Sequence, residues 1–314
     1  MNERRREKYE RLIAAVKALP PLPTAVAHPC DEASLRGAID AARLGIITPI
    51  LVGPRERIEA VAKAAKLDIS ACEFVEAPFS HAAAEAAVAL VRAGRAEALM
   101  KGSLHTDELM AAVVQRDTGL RTERRLSHCF IMDVPNHPTT LFITDAAINI
   151  APTLEDKVDI VQNAIELAHA LGNAAPKVAI LSAMETVNPK VQSTIDAAAL
   201  CKMADRGQIT GGVLDGPLAL DNAISPEAAS IKKIGGPVAG VADILIVPDL
   251  EAGNMLAKSL SFLADADAAG IVLGARVPII LTSRADTLLT RLASCAVAAL
   301  LARHRRDLLA RTVR

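Results

Sequence analysis

Tryptophan is absent from this chain of 314 residues, tyrosine appears once, and aromatic residues make up only 2%. A surface that stacks bases needs aromatic faces, so single-stranded nucleic acid is not an expected ligand. Neither sign of charge is in excess: 35 Lys and Arg face 36 Asp and Glu, a net charge of −1. No basic field therefore attracts DNA, RNA or an anionic membrane. No run of 18 apolar residues is available to span a bilayer. The opening segment MNERRREKYERLIAAVKAL lacks the uninterrupted apolar centre of a signal peptide. Its Leu12, Ile13, Val16 and Leu19 fall at helical spacing, which predicts a charged surface helix. The five cysteines, Cys30, Cys72, Cys129, Cys201 and Cys295, include no CxxC pair. Reduced thiols in a cytoplasm are expected, rather than a disulfide framework or a structural zinc site.

Several catalytic signatures are missing too. GxGxxG after a strand, GxxxxGK[ST], GxSxG and HExxH do not occur. The common dinucleotide fingerprint, the P-loop, the nucleophile elbow and the zincin helix are thereby unsupported, and no metal ligand set is assigned.

What is present is a core material. Hydrophobic residues reach 51% and are dominated by Ala, Val, Leu and Ile, which suits helices packed on a parallel sheet. Strand and helix patterns alternate: strand 24–29, helix 31–45 with Asp31 as cap and Gly45 as stop, strand 48–54, a helical pattern to Leu67, helix 81–94 and strand 97–102. That order predicts parallel sheets with right-handed crossovers. After about residue 126 the pattern changes. Two runs, 127–134 and 139–145, joined by PNHP, read as a hairpin. A helix over 153–172 with Thr153 as cap, strand 177–183, helix 190–206 and a Gly-rich turn over 210–225 follow. Strand 242–249, helix 251–264, strands 270–275 and 277–282, and a helix from about 285 to 304 complete the chain. The expected domains are 1–126 with 283–314, and 127–282, the last helix returning to the first domain.

Polar residues gather where strands end, the usual place for a ligand in an α/β fold. In MKGSLHTDEL, Lys101 can hold a phosphate and Gly102 can let backbone amides approach it. Ser103, His105 or Thr106 can hydrogen-bond a phosphate at the following helix N-terminus; a plain turn with an N-cap fits the same residues. Asp145 and Asn149 follow another strand, and Asp215 lies among glycines. The loops 183–189 and 210–225 are candidates to line a site, and GGPVAG at 235–240 is a weak phosphate-loop candidate. In IILTSRAD (279–286) an apolar run stops at Thr282, Ser283, Arg284 and Asp286. A hydroxyl, a guanidinium and a carboxylate together can handle a phosphate and a proton.

Three segments, TDAAINIAPTLEDKVDIVQNA, DGPLALDNAISPEAASIKKIGGPVAGVADILIVPDLEAGNMLAKSLSF and PIILTSRAD, resemble the phosphate acetyl/butyryltransferases from about Ala98 to Ala299. RRLSHCFIMDVP and LTSRAD are similar to the butyryl branch in particular. The resemblance implies two α/β domains with a cleft between them, related to the isocitrate and isopropylmalate dehydrogenases. It implies reversible acyl transfer from CoA to phosphate, with an acyl group between acetyl and butyryl, butyryl or another short chain being slightly favoured. It implies acyl-CoA, acyl phosphate and phosphate as substrates, no bound cofactor, and a homodimer or larger assembly. Carried over by position, the expected catalytic residues are Ser283, Arg284 and Asp286, with substrate contacts at Lys101, Gly102, Ser103, His105, Thr106, Asp145, Asn149, Asp215 and Asn254. The acetyl branch has a catalytic aspartate seven residues after the serine; Thr290 stands there in this chain, and Asp286 is the nearer acid, with capping of the last helix as its alternative use. Two other functions compete: a decarboxylating dehydrogenase of the related fold, and a non-catalytic domain binding CoA or acyl phosphate.

Overall fold

The structure is a computed structural model and describes residues 6–282 and 286–312. The elements run α1 (Glu7–Lys17), β1 (Leu22–Ala27), α2 (Glu32–Arg43), β2 (Ile47–Gly53), α3 (Arg55–Ala64), β3 (Glu73–Glu76), α4 (Ser80–Arg92), β4 (Ala98–Lys101) and α5 (Thr106–Val113). They continue as β5 (Ser127–Asp133), β6 (Leu141–Thr144), α6 (Leu154–Ala170), β7 (Lys177–Leu181), α7 (Gln192–Asp205), β8 (Val213–Leu218), α8 (Leu220–Ile224), α9 (Pro226–Ile231) and β9 (Ile244–Ile246). α10 (Leu250–Leu263), β10 (Asp267–Leu273), β11 (Ile279–Ile280) and α11 (Leu288–Thr312) follow. Among the described residues no helix is long and apolar enough to cross a membrane.

Two compact units divide the chain: Met1–Arg124 with Ala269–Arg314, and Arg125–Ala268. The expected boundary at 282 thus moves back to 268. The reason is strand pairing: β11 lies parallel to β4, Ile280 opposite Met100, and antiparallel to β10, so both late strands join the first unit.

The first unit has strand order β3-β2-β1-β4-β11-β10, all parallel except β10. Its central strands are short apolar runs because both faces are covered; Val26, Leu51 and Leu99 are fully buried. α2 forms where Asp31 accepts the Ser34 amide at 2.7 Å and where Leu35, Ala38 and Ile39 make a buried stripe. α11 packs on α1 and α2, and α4 on β1 and β2. β3 is an element that the sequence pattern did not reveal. It is four residues, Glu-Phe-Val-Glu, half exposed at the sheet edge, too short for a period-2 signal.

The second unit has the order β5-β6-β9-β7-β8, with the expected hairpin antiparallel (Phe130 opposite Ile143) and the rest parallel. α6 begins with reciprocal capping: Thr153 Oγ1 accepts the Asp156 amide at 3.2 Å and Asp156 Oδ2 accepts the Thr153 amide at 2.9 Å. The stretch 210–225, read as a Gly-rich turn, is instead strand β8 followed by the short α8. Its glycines serve close approach: a Cβ at Gly216 would meet Ile180 Cβ and the Ile180 carbonyl oxygen at 2.8 Å.

Candidate active site

In the first unit β1, β4 and β11 are parallel neighbours, so their C-terminal ends emerge side by side, with Ala27 opposite Lys101 and Ile280 opposite Met100. A cavity of about 110 Å³ opens at those ends, lined by Asp31, Ala33, Ser34, Lys101, Gly102, Thr282 and Arg291. One ordered water needs roughly 10–15 Å³, so the space suits a phosphate-sized anion. Lys101 (7% exposed), Thr282 (4%) and Arg291 (4%) are all buried. Arg291 Nη1 donates to Thr282 Oγ1 at 3.1 Å. The next residues in the chain, Ser283 and Arg284, lie outside the described residues, together with Ala285.

The segment after Lys101 is committed to holding the turn. The amides of Gly102 and Ser103 donate to the carbonyls of Ala27 and His28, both at 2.9 Å, so neither is open to a phosphate. Gly102 is glycine because a Cβ there would lie 2.2 Å from the Ala27 oxygen. Ser103 Oγ donates to the His28 carbonyl at 2.8 Å and accepts the Cys30 amide at 3.3 Å. With that proton spent, the 3.1 Å contact to His28 Nδ1 places the ring hydrogen on Nδ1. Burial holds His28 below the usual histidine pKa. His105 precedes α5 and gives its amide to Glu108 Oε2 at 2.9 Å, with Thr106 as the first helical residue. The turn-and-cap use of Gly102, Ser103 and His105 is therefore what these contacts express.

In the second unit Asp145, Asn149 and Asn254 meet at one loop. Asp145 Oδ1 accepts the amides of Ala147 and Ile148 at 2.9 and 3.0 Å, and Oδ2 accepts the Asn149 amide at 3.1 Å. Asn149 Nδ2 donates to the Leu126 carbonyl at 2.8 Å, and its Oδ1 accepts Arg125 Nε at 2.6 Å. Asn254 Nδ2 reaches the Ala146 carbonyl at 3.2 Å. These three residues lock the loop after β6. Asp215 stands apart from them on β8; its Oδ1 accepts the Gly216 amide at 2.9 Å, and a Cβ on Gly236 would lie 2.6 Å from its Oδ2. The 235–240 loop thus packs over a carboxylate, an arrangement that disfavours a phosphate there. Sequence reasoning missed a polar cluster beside it: Glu185 accepts from Asn222 and from Lys232 Nζ, which also pairs with Asp221 at 2.9 Å.

Asp286 is half-buried ahead of α11. At the start of that helix Thr287 Oγ1 accepts the Thr290 amide at 3.2 Å. Thr290 itself contacts Thr287 Oγ1 at 3.1 Å.

The family model described as phosphate acetyl/butaryl transferase matches residues 79–299. The chain belongs to this family. A phosphate acetyltransferase of Rhizobium meliloti is 69% identical over 95% of both chains. A phosphate butyryltransferase of Clostridium acetobutylicum is 43% identical over 94% of this chain and 98% of its own. Among solved structures, a branched-chain phosphotransacylase from Enterococcus faecalis V583 matches with a TM-score of 0.79 and 32% identity, over 90% of this chain and 99% of that one. This phosphate acyltransferase moves an acyl group between CoA and phosphate. The likeness of RRLSHCFIMDVP and LTSRAD to the butyryl branch stands beside greater overall identity to a protein named for acetyl transfer. For such a reaction, the cavity at β1, β4 and β11 offers two buried cations, the hydroxyls of Ser34 and Thr282, and the carboxylate of Asp31.

Proposed function

We propose that the acyl group is acetyl in preference to butyryl, and that transfer occurs by direct attack within a ternary complex of acyl-CoA, phosphate and enzyme. One observation carries the assignment of place: buried Lys101 and Thr282 line a single cavity at the residue where the chain enters Ser283 and Arg284. Lys101 supplies a fixed positive charge for phosphate, and Arg284 adds a bidentate fork. Ser283 donates a hydrogen bond to the oxyanion that forms as the thioester carbonyl becomes tetrahedral. The C–S bond then breaks, the acyl–oxygen bond to phosphate is complete, and CoA leaves as thiolate. Asp286 takes the proton that phosphate gives up as its oxygen bonds to the acyl carbon and hands it to that thiolate; in reverse it takes the thiol proton and returns it to phosphate. Such help is needed because a thiol of pKa about 8.5 is only a few per cent ionised at neutral pH. Unpaired cysteines and balanced charge support a cytoplasmic enzyme, working as a homodimer or larger assembly.

The test is phosphate-dependent release of free CoA from acetyl-, propionyl-, butyryl- and isobutyryl-CoA. The highest kcat/KM is expected with acetyl-CoA. Arg284→Ala should lose about 10³-fold or more with an unchanged thermal midpoint. Asp286→Asn should lose about 10²-fold in kcat. Near-parental turnover by Arg284→Ala would remove the site from this strand end.

A further inference from the structure

α2 contains a glycine, Gly37, in its buried interior, where alanine would favour the helix more. The reason lies on α11. A Cβ at Gly37 would stand 2.9 Å from Arg291 Cδ and 3.5 Å from Arg291 Cβ. The bare backbone of α2 therefore makes the bed on which the arginine side chain lies. Its other end is fixed by the 3.1 Å hydrogen bond from Nη1 to Thr282 Oγ1. Between these two restraints the guanidinium lines the same cavity as Lys101, both side chains being buried.

The cavity lining carries two buried cations and one carboxylate, that of Asp31, so positive charge is in excess among its lining residues. A doubly charged anion in that cavity is attracted by both cations. A planar guanidinium suits a tetrahedral oxyanion better than an ammonium group, because two N–H groups can meet two oxygens. The cavity also includes Ala33 and Ser34 of the first turn of α2, where the helix dipole adds a positive potential. We infer that Arg291 is a phosphate-binding residue, acting with Lys101 in the same cavity and held in aim by Thr282 and by the clearance at Gly37. The inference rests on the proposed use of this cavity for phosphate, and it adds a residue that no motif assigned.

Two measurements test it: binding of inorganic phosphate by calorimetry, and initial rates of acyl phosphate formation with phosphate or acyl-CoA varied. Arg291→Gln should weaken phosphate binding and raise the phosphate KM by about tenfold or more, with the acyl-CoA KM within about twofold of the parent. Sulfate, as a competitive phosphate mimic, should lose inhibition by the same factor. Gly37→Ala leaves every charge in place and displaces only the arginine. It should weaken phosphate binding in the same direction while the thermal midpoint stays level or rises, a split that a merely structural role does not produce. Should Arg291→Gln fail to fold, Gly37→Ala and Arg291→Lys carry the test. Parental phosphate affinity in folded variants overturns the inference. If the parent binds phosphate but releases no CoA, the proposed reaction falls while the role of Arg291 stands.

Discussion

His128 on β5 is 2% exposed and meets Phe130 edge-on, ring centres 4.5 Å apart. Its Nδ1 has no hydrogen-bond partner among the described residues. Burial pulls its pKa down from 6.5 to about 4, against the opposing pull of the Asp145 carboxylate. In the unfolded chain the same ring takes a proton near 6.5. Between those values the unfolded state binds more protons, so stability is complete above about pH 6.5 and is lost as pH falls toward 4. The loss is at most about 3 kcal/mol. The thermal midpoint of the parent should fall through that window, and His128→Leu should flatten the fall. Parallel curves for the two proteins would show that His128 is not the group responsible. Residues of the candidate site were unevenly legible. Lys101 could be found because an apolar strand ending in Lys-Gly is visible in one dimension. Arg291 could not, because its nearness to Thr282 depends on how α11 returns to the sheet. The one local clue was a glycine inside the α2 pattern.

At the scale of elements, α6 and α7 are tied by a buried ion pair. Lys157 Nζ lies 2.6 Å from Asp196 Oδ2, each side chain 6% exposed, and Gln192 Nε2 donates to Asp196 Oδ1 at 2.8 Å. Removing the lysine leaves a carboxylate in a dry place with one neutral donor. Lys157→Met should therefore cost about 3–5 kcal/mol in urea unfolding, while Lys157→Met with Asp196→Leu should recover much of that. Equal losses in the single and double variants would mean the two groups are not coupled. Elements with a helical stripe and a cap residue, such as α2 and α6, were readable from sequence, because Asp31 and Thr153 mark their starts. β8 was not, because its glycines look like turn residues. Only the Ile180 side chain and carbonyl, brought close by pairing with β7, show that they serve packing.

Across the whole molecule the thiols bear on mechanism. Burial pushes Cys30 up to about 11, Cys201 to about 12 and Cys295 to about 12, and it raises Cys72 and Cys129 as well. A thiol acts as a nucleophile only as thiolate. Burial thus favours the un-ionised thiol at all five positions, including Cys30, which directly precedes Asp31 of the cavity. The direct transfer proposed above uses no acyl-enzyme stage on cysteine and has both substrates bound together. Initial rates against both substrates should give intersecting lines, not the parallel lines of a two-stage exchange. Cys30→Ala should keep kcat within about threefold of the parent. Radiolabelled acyl-CoA incubated without phosphate should leave no label on denatured protein. Parallel lines, or label that disappears in Cys30→Ala, would require a covalent path and would move the reacting atoms to the end of β1.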